Sequence, residues 1–396
     1  MRRSAILLPN PLRPLARSGL TVGEYYGMHA LGGVFPLVAG LLLYGWRAAW
    51  TVAVVLLSAA AGVAAWRRVG TLGHQLRMPH VMWMASLLAL MMPAHLVTLS
   101  PVGTDGDPAW PILPAASLIL VMLLWMLGGL GAGRAQPVLV AYLLLGMLFS
   151  AQLSPHCVLQ RERLVTGDVR NCAPSPALGV SPEPWVRRPR VPGYDALPAP
   201  SAAERLIAYT RGKERPERGV LRVQGLLSER LPPLEDFVVG GQPGAIGTSS
   251  AVAIIIGGLF LLYRGIIDYR VPLLIVLATY LALLVLPVPA RIIEDRAHFR
   301  WFVVREGDVD WATALTFVHY EIMASPLLFT ALFLATDPSV RPMTRGGRTM
   351  YAVIAGLLTA PALLYVSVSV GPYLAVFAAS LLTPMLDRWF MPEPLV

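Results

Sequence analysis

Runs of about 20 residues with almost no charge recur along this chain, and they leave it few ways to fold. "ILPAASLILVMLLWML" (112–127) and "VMWMASLLALMM" (81–92) are the cores of two of them. In lipid every backbone N–H and C=O must be satisfied internally, which only α-helices and closed barrels achieve. These runs do not alternate with period two, as barrel strands would. The chain is 56% hydrophobic and 14% charged, with mean hydropathy +0.61. A soluble surface of that composition would aggregate. The expectation is an all-α polytopic membrane protein.

Ten spans are expected, near 24–46, 48–66, 79–99, 110–130, 136–153, 248–264, 270–288, 312–335, 349–370 and 372–387. They divide the chain into a five-helix half (1–153), a Pro- and Arg-rich insert (154–240) and a second five-helix half (241–396). The insert predicts no folded unit beyond a short helix near 201–211. Five spans on each side would make the halves inverted if they are repeats, with a site between them near broken helices.

Basic residues beside the spans set the orientation. One set of short segments carries fourteen arginines, from Arg2 and Arg3 through Arg67, Arg134 and Arg345 to Arg388. The opposite set carries five: Arg47, Arg291, Arg296, Arg300 and Arg305. Both termini are therefore expected in the cytoplasm and the insert outside. "MRRSAILLPNPLRPLARSGL" has a short, proline-broken apolar run and reads as a cytoplasmic tail rather than a cleaved signal. The formal charge of +9 is ordinary for a membrane protein and points to no nucleic-acid partner.

Three glycine-rich turns interrupt the apolar sequence. "GGQPGAIGTSS" (240–250) precedes the sixth span, "LGGLGAGRAQP" (127–137) the fifth, and "FLATDPSVRPMTRGGR" (333–348) the ninth. Glycine allows close backbone approach to a ligand. A helix starting there directs free N–H groups and a positive dipole end at it. Gly244, Gly247, Thr248, Ser249 and Ser250 in the first turn, Gly128, Gly129, Gly131 and Gln136 in the second, and Thr336 and Asp337 in the third are the candidate cofactor-binding residues. The alternative is tight turns with Ser/Thr caps, and for Asp337 an Asp-Pro turn.

These same stretches carry a family resemblance. "PGAIGTSSAVAIIIGGLFLLYRGIIDYRVPL" resembles the "PGSIGETS…LIGG…WRI" segment of the RnfD/NqrB family. These are the large membrane subunits of the Rnf complex and of the sodium-pumping NADH:quinone oxidoreductase. "GGLGAGRAQPVLVAY" is similar to that family's "GGLGxNxFNPAxxGY". "HYEIMASPLLFTALFLATDPSVRPMTRGGRTMYAVIAGLL" resembles its "H…FFMATDPVTSPxTxxGRxxxGxxxG", and "FAASLLTPMLDRW" its "LLxNxxxPLID". The resemblance covers nearly the whole chain outside 154–240. It implies a flavin-holding electron carrier in the bacterial inner membrane, coupled in some complexes to Na⁺ or H⁺ movement. It also implies partners among the other subunits of such a complex, a flavin-binding one included.

The chain departs from the family in one decisive place. The covalent FMN of the family is linked to the last Thr of "D-x-x-[ST]-G-A-T" in the external insert. The nearest echo, "RLVTGDV", has Arg163, Asp168 and Val169 where Asp, Ala and the acceptor Thr belong. Valine has no hydroxyl to esterify, so the expected cofactor is non-covalent FMN or riboflavin. Gln136 also stands where Asn is usual, and Thr248 where Glu is. The competing expectation is a flavin-free transport or scaffold protein on the same fold.

His319 and Glu321 lie within the eighth span, where ionisable groups are costly and face a cavity or a partner. They are candidates for an ion or proton relay, or a polar pair between helices. His29, His80 and His95 read as packing. Cys157 and Cys172 in the insert lack haem or iron–sulfur spacing, and a disulfide between them is one possibility. No P-loop, zinc motif or supported Ser/His/Asp arrangement is present, and no catalytic residue or metal ligand is expected.

Overall fold

The computed structural model describes residues 21–69, 76–97, 109–127, 135–153, 157–159, 196–198, 201–214, 216, 219–240, 244–294, 296–301, 310–338 and 340–391. In the first half, helices run Val22–Tyr44 (α1), Trp46–Val69 (α2), Met78–Met91 (α3), Ile112–Met126 (α4) and Pro137–Leu148 (α5). Then come strands Cys157–Leu159 (β1) and Ala196–Pro198 (β2), helix Ala202–Thr210 (α6), strand Val220–Arg222 (β3) and helix Leu234–Val239 (α7). The second half holds Ala251–Tyr263 (α8), Arg270–Val285 (α9), strands Val288–Ile293 (β4) and Arg296–Arg300 (β5), then Trp311–Met323 (α10), Arg345–Pro361 (α11), Gly371–Leu381 (α12) and Thr383–Trp389 (α13).

Among the described residues, three stretches are long and apolar enough to cross a membrane: Val22–Tyr44, Trp46–Arg68 and Arg345–Val366. A fourth is the bent pair Trp311–Met323 and Leu327–Leu334, which turns by 61°. Shorter apolar helices occupy the other six expected segments. The exterior is greasy: Leu42, Leu57, Met122, Leu259 and Leu273 are all more than half exposed. The interior holds buried Thr51, Thr279, Gln136, Glu321 and Asp337. Water would not tolerate that distribution, whereas a bilayer favours it. Trp46, Trp50, Trp110 and Trp311 are exposed at helix ends, where interfacial indoles sit.

Helix contacts rest on small residues and hydroxyls. A Cβ on Gly257 of α8 would lie 2.5 Å from the Gly32 carbonyl oxygen of α1. A Cβ on Gly356 of α11 would lie 2.6 Å from the Ile275 oxygen of α9. Backbones approach this closely only where side chains are missing. Beside the second contact, Thr279 donates to both the Ile275 and Gly356 carbonyls, at 2.8 and 3.1 Å. The Ser58 and Ser117 hydroxyls join α2 to α4 at 2.5 Å. Thus α1 packs on α3 and α8, α2 on α4, and α9 on α11.

The insert differs from expectation from residue 201 onward. The short helix exists, starting on a Ser201–Glu204 capping box, but its surroundings are folded too. Leu206 and Tyr209 are fully buried, and the Tyr209 hydroxyl donates to the Pro289 carbonyl at 2.9 Å. Strand β3 pairs antiparallel with β4, which pairs antiparallel with β5 through a register shift near Pro289 and Arg291. Tyr320 of α10 donates to the Pro232 carbonyl at 2.7 Å. Strand β3 has only three residues and pairs with a strand far along the chain, which leaves no periodic signal, so the sequence reads as loop there.

Candidate functional site

The first glycine-rich turn docks on a broken helix. Helix α3 stops at Met91 because Met92 is extended, and the N–H-less Pro93 follows. The carbonyls left free there are taken by the turn: Gly247 N–H donates to Leu90 O at 2.7 Å, and Ile246 N–H to Met92 O at 3.1 Å. A Cβ on Gly247 would lie 2.6 Å from that of Leu90. Its bareness therefore serves backbone-to-backbone contact. Ser250 caps α8, accepting from Ala253 N–H, while Ser249 and Thr248 donate to the Ile246 and Ala245 carbonyls.

Behind this turn lies a cavity of about 680 Å³. Gly244, Thr248 and Ser249 line it; Gly247 and Ser250 do not. Three further chain breaks meet there: the end of α3 at Met91 and Pro93, the α10 kink at Ala324–Pro326, and the Ser367–Val370 link before α12. Ser325 stabilises the kink, donating to Ile322 O and accepting from Leu327 N–H. Tyr142 of α5 and Tyr373 of α12 meet edge to face at 5.0 Å between centroids. Both line the cavity, are 7% and 1% exposed, and make no hydrogen bond among the described residues. The first residues of α6 close one side.

The third glycine-rich turn adjoins a buried ring cluster. Tyr25, Tyr26 and His29 share a face of α1 at helical spacing, and His80 and Trp83 do so on α3. Ring centroids lie 4.5 Å apart for Tyr25 and His29, 4.9 Å for Tyr26 and His80, and 5.5 Å for His29 and Trp83. Trp83 reaches Phe333, three residues before Thr336. Asp337, 1% exposed, is in electrostatic reach of Tyr25, Tyr26 and Tyr351. Its carbonyl accepts from the Val340 and Arg341 N–H groups, and Thr336 donates to Leu332 O. Burial holds the Arg341 guanidinium below its ordinary range, against the pull of Tyr25 and Asp337. Five buried polar atoms have no partner among the described residues: Tyr25 Oη, His29 Nε2, His80 Nε2, Trp83 Nε1 and Tyr351 Oη. Each of these atoms costs free energy while it stays unpaired.

Gln136 is fully buried at the start of α5, with neither amide atom hydrogen-bonded among the described residues. Gly128, Gly129 and Gly131 lie outside the described residues, as do Cys172 and the "RLVTGDV" stretch. His319 and Glu321 do not form a pair. Two residues on a helix differ by about 200°, so His319 is exposed, bonded to Leu315 O and packed on Tyr280, while Glu321 is fully buried. Neither Glu321 oxygen has a partner among the described residues. His29 and His80, which read as packing in the sequence, belong to the ring cluster; His95 contacts Gln152 O. Tyr25, Tyr26, Trp83, Tyr142 and Tyr373 carry no sequence signal beyond aromatic rings at helical spacing.

Apolar helices with greasy exteriors, a chain broken around a cavity, and a separate buried ring cluster define a polytopic membrane protein. The chain belongs to the NQR2, RnfD, RnfE family, whose model matches residues 11–395. It is similar to the D subunit of the Na(+)-translocating ferredoxin:NAD(+) oxidoreductase complex of Acetobacterium woodii, 30% identical over 161 residues, 40% of this chain and 42% of that one. It is 25% identical over 187 residues to the proton-translocating counterpart of Clostridium ljungdahlii, 44% of this chain and 48% of that one. With the D subunit of the ion-translocating oxidoreductase complex of Pectobacterium carotovorum subsp. carotovorum it shares 21% identity over 286 residues, 72% of each chain. The chain thus spans less than half of the first two relatives and nearly three quarters of the third.

Proposed function

We propose that this protein is the membrane-integral, cofactor-holding subunit of an ion-translocating oxidoreductase complex in the bacterial inner membrane. Its cavity and its ring cluster would hold two non-covalent flavins at opposite ends of the helices. The observation that carries this reading is the set of five orphaned buried polar atoms in the ring cluster and on Tyr351, together with a cavity lined by Tyr142 and Tyr373. A cavity of about 680 Å³ falls in the size range of ring ligands, roughly 300–1,000 Å³. Bound flavin supplies the electron chemistry, and the protein supplies position, hydrogen bonds and exclusion of water. In the cluster, the Tyr25 and Tyr351 hydroxyls and the Trp83 indole N–H are free to donate to ring acceptors. Glu321, buried and unpaired among the described residues, serves as the proton or ion relay.

An arrangement of two inverted five-helix halves would fit this reading, and several features of the helices support it. The third helical segment of each half is broken at a proline, Pro93 and Pro326. Second packs on fourth in both halves, first meets first through Gly32 and Gly257, and fifth meets fifth through Tyr142 and Tyr373. Such repeats place their sites where they meet. On the count of arginines beside the helices, the ring cluster would lie on the cytoplasmic side and the cavity outside. Other members of the complex would deliver electrons inside and accept them outside.

The test is the visible spectrum of the purified full chain before and after denaturation and filtration. Flavin bands that pass the filter are the expected result. Flavin retained on the polypeptide contradicts the non-covalent reading. A well-folded protein without flavin, purified in native lipid, favours the transport or scaffold alternative.

A further inference from the structure

The β3–β4–β5 sheet sorts its side chains by face. Leu221, Ile292 and Ala297 are register partners across the three strands. They form the inner face. Leu221 and Ile292 are buried, and a Cβ on Gly212, just beyond α6, would lie 2.9 Å from that of Ala297. The Tyr209 tie from α6 to Pro289 holds the same hairpin. The next register row is Arg222, Arg291 and His298. It lies on the opposite face, because side chains alternate along a strand. Arg296 and Arg300 flank His298 two residues away on β5 and share that face. Arg222, Arg296, His298 and Arg300 are exposed.

Like charges directly opposite each other on neighbouring strands destabilise a sheet. Arg222 stands opposite Arg291, on strands about 4.8 Å apart. Such a row costs the chain stability by itself, and an anionic partner relieves it. On the expected orientation, Arg291, Arg296 and Arg300 also stand on the side where basic residues are scarce. The basic positions spread over about 14 Å along β5 and about 10 Å across the sheet. That footprint suits a protein face better than one lipid headgroup. The inner face is the one packed on α6, whose first residues close the cavity, so the basic face lies on the side away from α6.

We propose that the face bearing Arg222, Arg291, Arg296, His298 and Arg300 docks the acidic face of an extracytoplasmic protein domain. That the domain belongs to another member of the complex rests on the function proposed above; the basic face does not. Charge of this kind speeds encounter and selects the partner more than it tightens the complex.

The experiment places the full chain in phosphatidylcholine nanodiscs and uses a short oligoglutamate peptide as the acidic probe. Arg222→Thr should raise the melting temperature by itself, since it removes a like-charge neighbour and threonine suits a strand. Arg222→Glu combined with Arg296→Glu should weaken peptide binding about tenfold or more, an exposed ion pair being worth up to about fivefold. Arg345→Glu, at an exposed position on the opposite expected side, should weaken it far less. A lower melting temperature for Arg222→Thr would show that this arginine is paired within the chain, and overturns the proposal. Equal loss in Arg345→Glu would reduce the binding to general charge and overturns it too. Binding abolished by phosphatidylglycerol in the disc would assign the face to lipid headgroups instead. None of these positions lines the cavity or belongs to the ring cluster, so flavin content in the same samples judges the cofactor reading separately.

Discussion

Two glycines separate packing from function at the scale of single residues. Gly247 lies where a methyl would strike Leu90, and its N–H is already committed to the Leu90 carbonyl. Gly247→Ala should destabilise the protein by about 1–3 kcal/mol, the usual cost of overpacking. Gly146→Ala, in open space within a helix, should stabilise it by up to about 1 kcal/mol. Thermal unfolding in one detergent compares the two. Equal effects would mean that the turn does not dock on α3. Glu321 makes a sharper case. A buried carboxyl with no partner costs stability, so Glu321→Leu should raise the unfolding free energy by about 1–3 kcal/mol while abolishing ion or proton coupling. A destabilised Glu321→Leu protein would show that the carboxyl is paired.

Among the elements, the apolar segments were legible because hydropathy alone decides them. The chain breaks were half legible. Pro93 and Pro326 announce them, but nothing in the sequence tells that both open on one cavity. The pairing of β3 with β4 and the packing of α6 were not legible, since their partners lie far away in the chain. The ring cluster was hidden for another reason: Tyr, His and Trp inside an apolar helix create no contrast in period, and only packing of α1 against α3 unites them. The Tyr209 tie to Pro289 offers a test at this scale. Tyr209→Phe should cost about 1 kcal/mol and speed limited proteolysis in the segment between α6 and β3. Unchanged cleavage would mean that other contacts hold α6.

For the whole molecule, the proposed direction of electron flow depends on which end faces which side. With Cys157 and Cys172 replaced by serine, a cysteine at exposed Arg345 should react with an impermeant thiol reagent only from the cytoplasmic side, and one at exposed Arg296 only from outside. The reverse pattern would exchange the sides of the cavity and the ring cluster. The arginines of the sequence carry the expected orientation, and its glycine-rich turns carry the family resemblance. It could not supply the pairing of first with first and fifth with fifth helices, because that similarity lies in packing, not in residues.

The central claim is that electrons pass through this one chain from one side of the bilayer to the other. The most direct measurement places the purified protein in sealed liposomes with ferricyanide trapped inside and an impermeant reductant added outside. Protein-dependent reduction of the trapped ferricyanide, lost in Gly146→Phe, which sets a ring in the cavity, is the expected result. Flavin-loaded protein that leaves the trapped acceptor oxidised would contradict it.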